Sequence, residues 1–158
     1  MIYSLKKIFI SLVIVIFIIG GVLLAGKVIQ TQESDKWDGL EIDLISLKVK
    51  NNVLTVKFKL RNVGSEAVEP AIYFKDCYIM DETNQKKYYP LKDSDGNYIA
   101  GPVKYSGSAW GGGYFQFKIE PGKTKGMWIK FPEPPDNPET ITIHISGFFP
   151  FEEIELSK

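Results

Sequence analysis

Val53-Leu54-Thr55-Val56-Lys57-Phe58-Lys59-Leu60-Arg61-Asn62-Val63-Gly64 is the stretch that decides how this chain folds. Leu54, Val56, Phe58 and Leu60 alternate with Thr55, Lys57, Lys59 and Arg61. A period of two puts one set against a core and the other in water, which only an extended strand can do. Asn62-Val63-Gly64 then supplies residues that turn the chain. Upstream, Leu40, Ile42 and Leu44 alternate with Glu41 and Asp43, and Ile45, Leu47 and Val49 with Ser46, Lys48 and Lys50. The phase flips between Leu44 and Ile45, so a bulge or a change of sheet is expected there. Asn51-Asn52 joins the two runs as a two-residue turn, because asparagine tolerates positive φ.

The same signals recur downstream. Ala71 to Asp81 is rich in aromatic and branched residues and reads as one or two strands, turned by Thr83-Asn84-Gln85 into Lys86 to Tyr89. Asp93-Ser94-Asp95-Gly96-Asn97 is a second turn. Phe115, Phe117 and Ile119 alternate with polar neighbours, and Pro121-Gly122 follows with the chemistry of a type II turn. Met127, Ile129 and Phe131 form the next inward set, then Ile141, Ile143 and Ile145, and Phe151 to Leu156 closes the chain. Beyond the first residues, no stretch of useful length has helical periodicity. The expected fold is all-β, an antiparallel sandwich of about seven to nine strands.

Met1 to Lys7 carries Lys6 and Lys7, and residues 8–26 carry no charge. As a helix they would reach about 28 Å, close to the roughly 30 Å hydrocarbon core of a bilayer. Residues 1–27 are therefore read as a transmembrane signal-anchor, with a cytoplasmic N-terminus set by Lys6 and Lys7. The alternative is a cleaved signal peptide and a secreted domain. Leu24-Ala25-Gly26 resembles the start of a lipoprotein box, but Lys27 stands where the lipidated cysteine would be. Residues 28–36 are polar and patternless and are read as a tether, with the domain occupying residues 37–158.

Hydrophobic residues make up 44% and charged residues 24% of the 158, which is globular composition. The 19 basic and 19 acidic residues cancel, and Arg61 is the sole arginine, so nucleic acid is disfavoured as a partner. Cys77 is the single cysteine, which excludes an intramolecular disulfide and any cysteine-rich zinc site. A buried thiol is its expected state.

With those residues in place, a resemblance can be stated. Asn62-Val63-Gly64 with Ser65-Glu66-Ala67-Val68, then Tyr78-Ile79-Met80-Asp81 with Lys87-Tyr88-Tyr89-Pro90, then Pro121-Gly122-Lys123-Thr124-Lys125-Gly126 with Phe131-Pro132, resemble successive blocks of a bacterial extracellular domain of unknown function. The likeness covers most of Leu40 to Leu156. The family is immunoglobulin-like, is related to the mycobacterial immunoprotective extracellular antigen, and commonly follows a lipoprotein signal or membrane anchor. The resemblance implies that architecture and an extracytoplasmic place at the cell membrane. It carries no catalytic residues over, and a fold alone supplies no function.

The residues themselves point to no enzyme and no cofactor. His144 is the only histidine and, by alternation, is expected in solvent, so a histidine-dependent triad or multi-histidine metal site lacks members. No serine has a nucleophile-elbow context. Asp93, Asp95 and Asn97 bring three oxygen side chains together as calcium loops do, but without the offsets of an EF-hand, and a plain turn is the simpler reading. Lys57, Lys59 and Arg61 are expected to solvate the sheet or blunt an edge. Tyr105, Trp110, Tyr114 and Trp128 are the candidate binding residues, Trp110 because its glycine- and serine-rich loop offers little apolar surface to bury it. The expected function is a non-enzymatic, membrane-anchored interaction domain of the cell envelope, with a protein or cell-wall partner. The alternative is a carbohydrate or cell-wall-binding module using the Trp110 loop, and a proteinase-inhibitor-like sandwich is a more distant one.

Overall fold

The computed structural model describes residues 27–102 and 113–156. Ten strands run through them: β1 (Gln30–Glu33), β2 (Leu40–Lys50), β3 (Val53–Asn62), β4 (Ala71–Tyr73), β5 (Tyr78–Asp81), β6 (Lys86–Tyr88), β7 (Tyr114–Gln116), β8 (Thr124–Pro132), β9 (Thr140–His144) and β10 (Phe151–Glu155). The one helical element described is a short 3-10 turn, Phe74–Asp76, which separates β4 from β5. Every strand pair is antiparallel. The first sheet has the order β1-β2-β3-β8, the second β10-β9-β5-β6, and β4 pairs with β7. The all-β expectation holds. The strands outnumber the seven to nine expected because Ala71 to Asp81 holds two and because of β1, which lies in the stretch read as a tether.

The first two runs behave as the alternation requires. Leu54, Val56, Phe58 and Leu60 are buried, and so are Leu40, Ile42 and Leu44 on β2. Asn51 and Asn52 take φ of 52° and 61°, the left-handed pair of a type I′ turn. The register slips between Leu44 and Ser46, which is the bulge that the phase flip predicts. Because one extra residue sits on β2, both halves of that strand keep their apolar side chains inward. The Pro121-Gly122 turn also forms, with Gly122 at φ 70° and the Lys123 N–H donating to the Glu120 carbonyl at 3.0 Å.

Both four-stranded sheets give their inner residues to one apolar core. Phe58 of β3 stacks on Phe151 of β10 at 5.9 Å, and Phe131, Ile79, Ile141 and Ile143 lie in the same buried cluster. Burying side chains of this size is worth about 1.5–3 kcal/mol each against exposure, and this is the main force holding the sheets together.

Residues 28–36, expected as a tether, include β1, whose four residues pair with β2 from Gln30↔Leu44 to Glu33↔Glu41. Gln30-Thr31-Gln32-Glu33 has no apolar alternation, so its strand state is set by β2's hydrogen-bonding edge and by Thr31 reaching Asp43. The strand also ties the two sheets. Phe149 N–H donates to Glu33 O at 3.1 Å and Gln32 Nε2 to Pro150 O at 2.7 Å, just before β10. Trp37 packs on Phe148 at 5.8 Å, over Gly147, where a Cβ would fall 2.3 Å from the indole.

The end of β3 is fixed by a crossing of two backbones. A Cβ on Gly39 would lie 2.6 Å from the Gly64 Cα, and Val63 N–H donates to Gly39 O at 2.8 Å. Asn62 is buried there, donating to Glu66 O at 2.7 Å and Ile119 O at 2.9 Å and accepting from Gly64 N–H at 3.0 Å. Asn62-Val63-Gly64 thus locks three chain segments as well as turning one.

No helix among the described residues is long and apolar enough to cross a membrane. The segment 8–26, expected to do so, lies outside the described residues.

Candidate functional site

The outer face of the first sheet can be read row by row, since paired residues of an antiparallel ladder share a face. Thr55 lies between Lys48 of β2 and Lys130 of β8. Lys57 lies between Ser46 and Trp128, Lys59 between Asp43 and Gly126, and Arg61 between Glu41 and Thr124. Lys50, two residues beyond Lys48, completes the face at the hairpin tip. β3 is an interior strand of this sheet, so Lys57, Lys59 and Arg61 do not blunt an edge, and that expectation is corrected.

The face divides into two zones. At one end Arg61 makes a fork, its Nε 2.6 Å from Asp43 Oδ2 and its Nη2 2.5 Å from Glu41. Thr31 Oγ1 donates to Asp43 Oδ1 at 2.7 Å from β1. Asp43 is 2% exposed, although its alternation marks it as a solvent residue. Burial pushes its carboxyl up, but the bonds from Arg61 and Thr31 and the Arg61 charge outweigh this and hold it below the usual range. Lys59, paired with Asp43 across the strands, adds a second positive charge, so the two carboxylates are balanced within the zone. At the other end Lys57 stands beside Trp128, with Lys130, Lys48 and Lys50 in the rows toward the hairpin tip, and none of these four is among the ion pairs of the described residues. Trp128 is 41% exposed, held on a strand rather than a loop. The arrangement can present one large aromatic surface inside a field of one sign.

The other sequence candidates fare differently. Tyr105 and Trp110 lie outside the described residues. Tyr114 opens β7, half-buried, with its ring tilted against Tyr73 at 5.4 Å. It belongs to a different sheet from Trp128. Asp93 Oδ1 accepts the N–H groups of Asp95 at 3.0 Å and Asn97 at 2.8 Å, and Asn97 Nδ2 donates to Oδ2 at 3.3 Å. Those bonds, the Asn97 N–H first, hold the Asp93 carboxyl below its usual range. They spend its oxygens on closing the turn, where Gly96 takes φ 82°. Among the described residues no three His, Cys, Asp or Glu side chains converge as metal ligands would.

His144 is not the solvated residue that alternation suggests. It is half-buried on the outer face of the second sheet, stacked on Tyr78 at 4.8 Å and 20°. Lys87 Nζ stands 4.2 Å from the Tyr78 ring centroid. The stack is closed by its own members and leaves Tyr78 little ring face for a ligand. Burial lowers the His144 pKa. Cys77 is fully buried, its thiol pushed up to about 12 by that burial, with Sγ 3.4 Å from Tyr73 O.

The sheet edges are poor docking strips. Lys130 N–H donates to Ala100 O at 2.7 Å, and Leu91 N–H to Lys130 O at 3.1 Å, so the outer side of β8 is occupied there. β1 is taken by the segment leading to β10. β6 is three residues with Lys86 and Lys87, and β10 is broken by a register shift and carries Glu152, Glu153 and Glu155. Charge, brevity and bulges are the standard guards against strand addition.

Lys48, Lys50 and Lys130 escaped the sequence reading. The first two were within reach, because a two-residue Asn51-Asn52 turn pairs Lys48 with Thr55 and puts it on the Lys57 face. Lys130 was not, since its pairing with β3 joins residues 75 apart in the chain. No known protein family matches the chain, and no curated protein or solved structure does either.

Proposed function

We propose that this protein is a non-enzymatic interaction domain of the cell envelope, an immunoglobulin-like β-sandwich held outside the membrane by residues 8–26. Support for the sandwich is the pair of four-stranded antiparallel sheets with one shared core, between which the chain crosses after β3, before β8 and again before β9. The observation that carries the interaction reading is Trp128, exposed on a strand beside lysines that make no ion pair among the described residues. Aromatic anchors of this kind dominate protein contact surfaces, while surface lysines alone do not call for one. With the edges guarded, contact falls to a sheet face.

A photo-crosslinking amino acid at position 128 of the full chain, expressed in cells, tests this. Adducts with an envelope component are expected, and far fewer from the same group at Thr142 on the second sheet. Equal, background-level adducts from both positions would sink the reading. The carbohydrate alternative rests on the same indole, since Tyr114 is packed against Tyr73. It requires the adducts to disappear on glycan digestion.

A further inference from the structure

We propose that the lysine face around Trp128 docks on the anionic phosphate headgroups of the bilayer in which the chain is anchored. This rests on reading residues 8–26 as a membrane span.

The geometry of the chain's arrival carries the argument. Ile29 N–H donates to Leu44 O at 2.8 Å, so the chain is already bound along β2 at that point. Between a span ending at Gly26 and Ile29 stand only Lys27 and Val28, so the three steps from Gly26 to Ile29 reach at most about 11 Å. Gln30 pairs with Leu44, and β2 continues beyond it through Lys50 to the Asn51-Asn52 tip. That extension is about 20 Å long. The slack is shorter than the hairpin, so the hairpin cannot stand clear of the bilayer with its tip toward it. The proposed orientation lays it along the surface. Its inner residues are spent on the core, leaving the outer face to meet the headgroups.

The charge distribution agrees with that orientation. Lys48, Lys50, Lys57 and Lys130 sit in the extension past Gln30, where the chain arrives from the membrane, whereas Arg61 and Lys59, balanced by Asp43 and Glu41, sit at the far end. The acid at the tip is Glu133, whose N–H donates to Asn52 O at 2.9 Å, against four lysines, while Glu152, Glu153 and Glu155 lie on β10 of the other sheet. Each basic residue near an anionic leaflet favours the docked state by about fivefold, an effect that salt screens. Trp128 adds an indole, the side chain best suited to the boundary between headgroups and hydrocarbon. Val28 and Ile29, next to the proposed span, are exposed apolar residues.

The test uses the full chain in nanodiscs of phosphatidylcholine, with and without a third of phosphatidylglycerol. Lysines are acylated by a membrane-impermeant reagent and read by mass spectrometry. The anionic discs are expected to protect Lys48, Lys50, Lys57 and Lys130 at least fivefold, reversibly in 0.5 M salt, while Lys75, Lys86 and Lys118 react equally in both. The variant Lys48→Gln/Lys57→Gln/Lys130→Gln, on exposed or half-exposed positions, should fold with an unchanged Tm. Its Trp128 emission should lose the blue shift that anionic discs induce in the parent chain. Equal labelling of the face in both discs overturns the proposal. So does protection that follows an added soluble polyanion, such as polyphosphate, and ignores lipid charge, which would give the face to a polymer. Carbonate extraction of membranes reads the anchor separately. A chain that is extracted fails the span itself, whereas a retained chain with equal labelling fails the docking alone.

Discussion

Arg61 is the residue on which one end of the first sheet depends. Its guanidinium stands between Asp43 and Glu41, and Asp43 is buried. Arg61→Met leaves that carboxylate without its main partner and, with Arg61 itself partly exposed, is expected to cost about 1–3 kcal/mol in urea denaturation. Adding Asp43→Leu should recover much of the loss, because an uncompensated buried charge is worse than none. Both residues were visible in the sequence, but their pairing was not. It depends on where the β2 bulge falls, and a register one residue off would have set Asp43 against Leu60. His144 offers a second measurement. Its folded pKa lies below the ordinary value, so the folded state binds protons less readily than the unfolded chain. That contribution is whole above about pH 6.5 and is lost as pH falls through the folded value. His144→Phe keeps a ring beside Tyr78 and should shrink the drop in Tm between pH 8 and pH 5. An undiminished drop would assign the acid sensitivity to carboxylates instead.

The β2–β3 hairpin is the element most fully legible in the sequence, because its information is local. Alternation sets the faces, the phase flip marks the bulge, and Asn51-Asn52 names the turn. Asn52 holds φ 61°, where a β-branched side chain is strained. Asn52→Val is expected to lower stability by about 1–2 kcal/mol, and Asn52→Gly to leave it equal or higher, as read from urea midpoints. Loss of stability with glycine would mean that the Asn52 side chain, rather than its backbone, matters. β1 is the opposite case. Its residues carry no period, and it is a strand because β2 offers an edge and Asp43 needs Thr31. A chain begun at Trp37 gives up that cover and the ties to Phe149 and Pro150. It should melt several degrees below one begun at Lys27. Equal melting would restore residues 28–36 to the role of a tether.

Across the whole molecule, the sequence predicted what alternation can carry and missed what distance hides. The all-β class and the core residues of β2, β3, β8 and β9 followed from period-two runs, whereas buried Phe74, Tyr98 and Ala100 lie outside any such run. Trp128 was a candidate, and alternation with Met127, Ile129 and Phe131 turns it outward, but the lysines beside it did not follow, because they depend on which strand pairs with β8. The zero net charge was also uninformative, since it averages a lysine-rich face with a glutamate-rich strand on the other sheet.

Cys77 gives this domain a built-in recorder of its own opening. The sole thiol has no exposed surface and is held protonated far above neutral pH, so in the closed fold it is chemically silent. An alkylating reagent can mark it only during an opening that frees the neighbourhood of Phe74 and Ser146. The labelling rate therefore measures how often the core breathes. In an oxidising exterior the same logic makes a covalent dimer the lasting trace of two molecules that met while open.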